Sequence, residues 1–158
     1  MQSGENFKLI NSIADKLSFK IIVSTHPRTK EKIISLNKIK INKKIIFSKP
    51  FNFSDYNNLQ QNSFYVLSDS GSINEESSIL GFDAINLRYT HERPEADEEL
   101  VTIKTFNIDT ILNLIQLKKK NERRKFKKVK SYEAENVSDK IVGLLLSYYK
   151  NAKDKYWN

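Results

Sequence analysis

Asp69-Ser70-Gly71-Ser72, followed by the paired acids Glu75 and Glu76 and then by Arg93-Pro94, are the residues of this 158-residue chain whose types and spacing best support chemistry. Two hydroxyls flanking a residue without a Cβ put side-chain and backbone donors on one turn. A helix that begins directly after such a turn adds N–H groups with no intrahelical partner and the positive end of its dipole, a combination that takes phosphate readily. Ser72 and Glu75 have the S-x-x-E spacing of a capping box, so the sequence predicts a helix from this point to a stop at Gly81. The same pattern also serves as a structural cap with no ligand. Glu76 is then either a first-turn carboxylate favoured by the dipole or an acceptor for a ligand.

The elements that must position these residues alternate between strand and helix. A helix over Glu5 to Leu17 precedes a strand at Phe19 to Val23 and a short helix from Thr29 to Ser35. A strand at Lys44 to Phe47 exits through Pro50, Phe51 and Asn52 into a helix from Ser54 to Gln61, capped by Ser54 or Asp55. The strand Phe64 to Leu67 feeds the Ser-Gly turn, and a further strand follows at Ala84 to Leu87. A short strand at Val101 to Lys104 and helices at Asp109 to Lys119 and Val137 to Tyr149 close the chain. This order predicts an α/β domain, a Rossmann-like parallel sheet with helices on both faces and its ligand beyond the carboxyl ends of the strands. His26, Phe51, Ser70 and Arg93 all follow strand ends and so converge on one edge.

Composition removes several chemistries. The chain has no cysteine, which excludes disulfides, thiolate metal sites and a cysteine nucleophile, and its two histidines leave little for an imidazole metal site. Neither a metal nor a cofactor is expected. A mean hydropathy of −0.56, no apolar run of about 20 residues, and a start without a basic-then-apolar leader predict a soluble cytoplasmic protein with no membrane partner. The net charge of +8 is local. Nine Lys and Arg residues and one acid lie between Lys118 and Lys130, and the rest of the chain divides evenly into 18 basic and 18 acidic residues. Only Phe126 interrupts the run with an aromatic, which argues against a nucleic-acid surface and for a solvated helix end and linker. The expected organisation is therefore a nucleotide-binding domain over residues 1–117, a basic linker over 118–130 and a closing helix within 131–158.

The motif wording is more specific than its pattern. D-S-G-S-I-N-E-E-S-S-I-L-G-F and then R-Y-T-H-E-R-P-E resemble the signature of the non-hydrolysing UDP-N-acetylglucosamine 2-epimerase family, approximately D-S-G-G-x-x-E-E-x-x-x-L-G-x-P and R-x-x-T-E-R-P-E. Ser24 to Thr29 is similar to the family's strand-to-His-Pro turn. Asn136 to Lys140 and Tyr148-Tyr149 look like the tail of the branch that forms UDP-N-acetyl-L-fucosamine. The resemblance runs from about Phe19 onward and covers only the C-terminal half of such an enzyme, the second lobe of a two-domain GT-B-type fold.

By that resemblance, Ser70 and Gly71 match a diphosphate-binding turn, Glu76 a residue accepting both ribose hydroxyls, Arg93 an arginine near the diphosphate and Tyr56 an aromatic packed on uracil. Gly71 would allow the backbone to approach phosphate. Asp69 would shape the turn, and Glu75 is left to the capping box. His26 is the one candidate for a group acting at the sugar or phosphate edge, and a structural histidine is its alternative. His91 departs from the family's usual threonine. The family reaction removes the C2 proton while UDP leaves C1, then reverses the step, so donors on the diphosphate stabilise the departing anion.

The proton-transferring carboxylates of the family belong to an N-terminal domain that the resemblance does not cover. The resemblance therefore implies the UDP-binding half of a 2-epimerase, inactive alone. The alternatives are a UDP-sugar-binding domain or subunit of a split enzyme, docked on an N-terminal partner or paired as a homodimer, and a glycosyltransferase lobe.

Overall fold

A computed structural model describes residues 2–25, 41–88, 92–120 and 128–156 of the protein. The helix expected from Thr29 to Ser35, both histidines and residues 121–127 of the basic segment lie outside the described residues. The chain divides into two compact units, Met1–Lys128 and Val129–Asn158.

The first unit is an α/β arrangement of parallel strands flanked by helices. After helix α1 (Gln2–Lys16), strands β1 (Ile21–Ser24) and β2 (Ile45–Ser48) form a parallel pair with Ile21 opposite Ile45. Helix α2 (Phe53–Asn62) leads to β3 (Val66–Ser68), α3 (Ile73–Leu80) and β4 (Ala84–Asn86). Then come the short helix α4 (Pro94–Glu98), β5 (Thr102–Lys104) and α5 (Ile108–Lys120). Strands β3, β4 and β5 make a second parallel sheet in that order.

Strand β4 is central in its sheet and all three of its residues are buried, as a parallel strand covered on both faces requires. Alternation along it sorts the core. Ile85 and Leu87 join Leu9, Ile13 and Leu17 of α1 and Ile111 and Ile115 of α5 in one cluster, and Ala84 joins Ile73 and Phe82 in another. Helices α1 and α5 thus cover one face and α3 the other. On the α3 face, the Thr102 hydroxyl donates to Asn74 Oδ1 at 2.6 Å and Asn86 Nδ2 approaches the same oxygen at 3.5 Å. These bonds tie the first turn of α3 to the ends of β4 and β5. Lys44 donates to the Ala14 and Leu17 carbonyls at 3.0 and 2.6 Å, closing the C-terminal end of α1 against β2.

The structure departs from expectation at several points. Asn52, not Ser54 or Asp55, caps α2, accepting from the Asp55 N–H at 2.8 Å, because the helix starts one residue earlier than its polar signals suggest. Strand β3 begins two residues into the apolar run Phe64 to Leu67 and ends at Ser68. Phe64 and Tyr65 instead pack as rings, Phe64 stacking on Phe19 at 5.0 Å. Lys118, read from sequence as the start of a solvated basic run, is anchored in the fold. It pairs with Asp83, donates to the Phe64 carbonyl at 2.7 Å and lies 5.0 Å from the ring centroids of both Phe64 and Tyr65. Its side chain and that of Asp83 are 24% and 22% exposed. Replacing Lys118 by methionine should therefore cost about 2 kcal/mol of stability, since it strands a half-buried carboxylate and a carbonyl. Urea denaturation checks this, and a midpoint equal to wild type would return Lys118 to the solvated run.

The second unit holds a 3-10 turn, Lys130–Glu133, and helix α6 (Val137–Tyr156), longer than the expected Val137 to Tyr149. Ile141, Leu144, Leu145 and Tyr148 fall at helical spacing on α6 and are exposed. No helix among the described residues is long and apolar enough to cross a membrane.

Candidate functional site

The Asp69-Ser70-Gly71-Ser72 turn leaves the carboxyl end of β3 and enters α3, as its sequence predicts. Ser70 N–H donates to Ser68 Oγ at 3.1 Å, which bends the chain out of the strand. The hydroxyls of Ser70 and Ser72 lie 3.0 Å apart. Ser72 is the N-cap residue of α3, and the first helical hydrogen bond runs from Glu76 N–H to the Ser72 carbonyl at 2.9 Å. The N–H groups of Ile73, Asn74 and Glu75 stand ahead of that bond at the end where the helix dipole is positive. Gly81 ends the helix with φ of 77°, the left-handed conformation glycine adopts without penalty.

The capping box does not form. The Ser72 side chain makes no cap hydrogen bond to the backbone, and its hydroxyl donates to Glu76 Oε1 at 2.5 Å. Glu75 reaches away from the cap to Arg93, whose Nε donates to Glu75 Oε1 in a half-buried ion pair. A carboxylate facing a guanidinium in partly dry surroundings gains more than one bonded to a neutral N–H, which explains why the long-range partner wins. The consequence is positional. Arg93, the N-cap residue of α4, is held against the first turn of α3, and its Nη1 donates to the Glu92 carbonyl at 3.0 Å.

Glu76 sits between two helices. Gln60 of α2 donates through Nε2 to Glu76 Oε2 at 2.6 Å, so the carboxylate is held by Ser72 on one oxygen and by Gln60 on the other. Tyr56 lies one turn earlier on α2. Burial, then the adjacent Glu76 charge, push its hydroxyl above the usual value of 10.0, with Gln60 opposing them. Tyr56 is therefore neutral at physiological pH. The sign of its linkage follows from the raised value: its stabilising contribution is complete below pH 10 and is lost as pH rises through the folded value. Glu76→Gln should lower the Tyr56 midpoint, yet leave it above 10 because burial is the larger cause. Following the Tyr56 ring signals by NMR against pH checks this, and an unmoved midpoint would separate the two residues.

The structure thus brings Ser70, Gly71, Glu76 and Tyr56 into one neighbourhood and ties Arg93 to it through Glu75. Two residues that sequence reasoning missed join them. Gln60 reads from sequence as an ordinary polar helix residue, and only its contact across to α3 marks it out. Arg88 lies just beyond β4, and a Cβ added at Gly71 would come within 3.3 Å of its Nη1. Gly71 therefore also makes room for a guanidinium, a requirement beyond the close approach of phosphate. Arg88 has no hydrogen-bond or ion-pair partner among the described residues. The recurrence of an arginine before the Glu-Arg-Pro motif was the available signal. His26 lies outside the described residues, next to Thr25, whose hydroxyl donates to the Ser48 carbonyl at 2.7 Å and ties the ends of β1 and β2.

Comparison with known proteins bears on the family and the fold. A family model described as UDP-N-acetylglucosamine 2-epimerase matches residues 2–146. The UDP-N-acetylglucosamine 2-epimerase of Methanocaldococcus jannaschii is 36% identical over 120 residues, 72% of this chain and 33% of that protein. That of Methanococcus maripaludis is 31% identical over 133 residues, 77% of this chain and 36% of the relative. Among solved structures, the UDP-N-acetylglucosamine 2-epimerase from Rickettsia bellii superposes with a TM-score of 0.79 at 35% identity, covering 99% of this chain and 44% of that one. The Methanocaldococcus jannaschii enzyme in complex with UDP-GlcNAc and UDP superposes with a TM-score of 0.66 at 32% identity, covering 91% and 40%. The chain spans about a third of the length of the curated relatives it matches. Matched over most of its residues, at this identity and on this GT-B-type fold, the chain belongs to the UDP-N-acetylglucosamine 2-epimerase family.

Proposed function

We propose that these 158 residues form the C-terminal, UDP-binding half of a UDP-N-acetylhexosamine 2-epimerase, from the branch that forms UDP-N-acetyl-L-fucosamine. The observation that carries the reading is the Glu76 carboxylate, fixed by Ser72 and Gln60 beside the Ser70-Gly71 turn at the start of α3. The turn and the helix N-terminus receive the diphosphate, Glu76 accepts the ribose hydroxyls and Tyr56 packs on the uracil. The guanidiniums of Arg93 and Arg88 stand at the first helical turn and at Gly71, where negative charge gathers as UDP departs from C1. Elimination and re-addition of UDP need those donors, and they also need a group that takes and returns the C2 proton. The residues assigned here serve the UDP side alone, so the chain by itself binds without turning over. Family membership favours this reading over a glycosyltransferase lobe.

A second reading is a non-catalytic UDP-sugar-binding domain or subunit, since the Ser70-Gly71 turn and the Glu76 carboxylate serve binding without a proton-transferring group. The same reading places it in the cytoplasm, in the synthesis of a polysaccharide precursor. Calorimetric titration with UDP-N-acetylglucosamine tests the proposal. Saturable binding at one site per chain is expected, and heats that match dilution would contradict it.

A further inference from the structure

Gln60 is the one fully buried residue of α2, at 3% exposure, while Tyr56, Asn57 and Leu59 are half-buried and the rest of the helix is exposed. A buried glutamine is uncommon, and its interior position calls for a partner. It has one. Nε2 donates to Glu76 Oε2 at 2.6 Å, while the opposite oxygen of Glu76 accepts from the Ser72 hydroxyl at 2.5 Å. Gln60 Oε1, however, is buried with no partner among the described residues. Turning the amide over relieves nothing, because Oε1 would then face the Glu76 carboxylate, oxygen against anionic oxygen. The fold therefore retains an unpaired buried carbonyl in order to keep one N–H on Glu76, a stability loss of the kind kept where function requires it.

A carboxylate has two oxygens and about four acceptor sites. Gln60 takes a site on Oε2 and Ser72 a site on Oε1, so each oxygen keeps acceptor capacity for one further hydroxyl. We propose that Gln60 is a positioning residue: it fixes the plane and direction of the Glu76 carboxylate so that both oxygens meet the vicinal hydroxyls of a nucleotide ribose, and so sets selectivity for ribonucleotides over deoxyribonucleotides. The inference rests on the reading of Glu76 as the ribose acceptor and adds the residue that orients it.

Gln60→Met keeps length and volume, removes the donor and also removes the unpaired oxygen. The test is calorimetric titration of wild type and Q60M with UDP and with 2′-deoxy-UDP, beside thermal melts of both. Wild type should prefer UDP by about tenfold, the loss of one charge-assisted hydrogen bond. Q60M should bind UDP about tenfold more weakly than wild type, bind 2′-deoxy-UDP within about twofold of wild type, and melt at the same temperature or higher. A merely structural glutamine would lower the melting temperature and weaken both ligands alike, and that result overturns the inference. So does an undiminished preference for UDP in Q60M, which would leave the nucleotide reading standing. A wild-type chain that binds UDP without preferring it over 2′-deoxy-UDP overturns the ribose assignment of Glu76 and this inference with it. A wild-type chain that binds neither nucleotide overturns the proposed function itself.

Discussion

Incubated with UDP-N-acetylglucosamine in deuterated water, the 158-residue chain is expected to leave C2 of the sugar protonated. Elimination across C1 and C2 needs a base within reach of the C2 proton as well as donors for the departing diphosphate, and correct placement of both supplies much of the rate. Glu75 and Glu76 are assigned to the UDP side. Glu75 pairs with Arg93, and Glu76 is bonded through both oxygens to Ser72 and Gln60. With the C2 base assigned to an N-terminal domain, the expected effect is the loss of exchange altogether. Adding a matching N-terminal domain in trans should bring exchange back. NMR of the recovered sugar nucleotide reads the result directly. Deuterium at C2 from the chain alone would show that it carries a proton-transferring group of its own, with His26, outside the described residues, the first to replace.

The second large effect concerns Glu76. Replacing it by alanine should weaken UDP binding by about 10- to 100-fold, corresponding to ~1.5–3 kcal/mol for hydrogen bonds to an ionised acceptor. Because ribose is common to both ligands, uridine should lose a similar factor, whereas loss of a diphosphate contact would be felt by UDP alone. The paired titrations therefore say which part of the nucleotide Glu76 serves. Unchanged affinities would leave Glu76 as a first-turn carboxylate held by the helix dipole and bonded to Ser72 and Gln60 for packing alone.

How far the sequence could be read depended on whether the deciding partner was local. Both ends of α3 are legible in position, since the Ser-Gly turn marks its start and the left-handed Gly81 its stop, although the Ser72 side chain does not cap the backbone. The parallel order of strands and helices was legible for the same reason, since period and turn residues are local signals. Three-residue spacing from Ser72 points Glu75 to a capping box, while the guanidinium that captures it lies in the motif after β4. Lys118 falls within a charged run, and the sequence shows its neighbours in the chain but not Asp83 or the Phe64 carbonyl. Phe64 and Tyr65 looked like strand residues by composition, yet their rings close over Phe19 and Lys118 and the ladder begins at Val66. Gln60 carried no signal at all. A single buried amide on a polar helix is indistinguishable from its exposed neighbours until the helix packed against it is known.

The central claim is that the Ser70-Gly71 turn and the start of α3 receive the diphosphate of a uridine nucleotide. Backbone amide NMR of the chain, titrated separately with UDP and with uridine, tests it most directly. UDP is expected to bind more tightly than uridine and to move the Ser70, Gly71 and Ser72 amide signals, which uridine leaves in place, while Tyr56 responds to both. Equal affinities for the two ligands, with the turn amides unmoved by UDP, would contradict it.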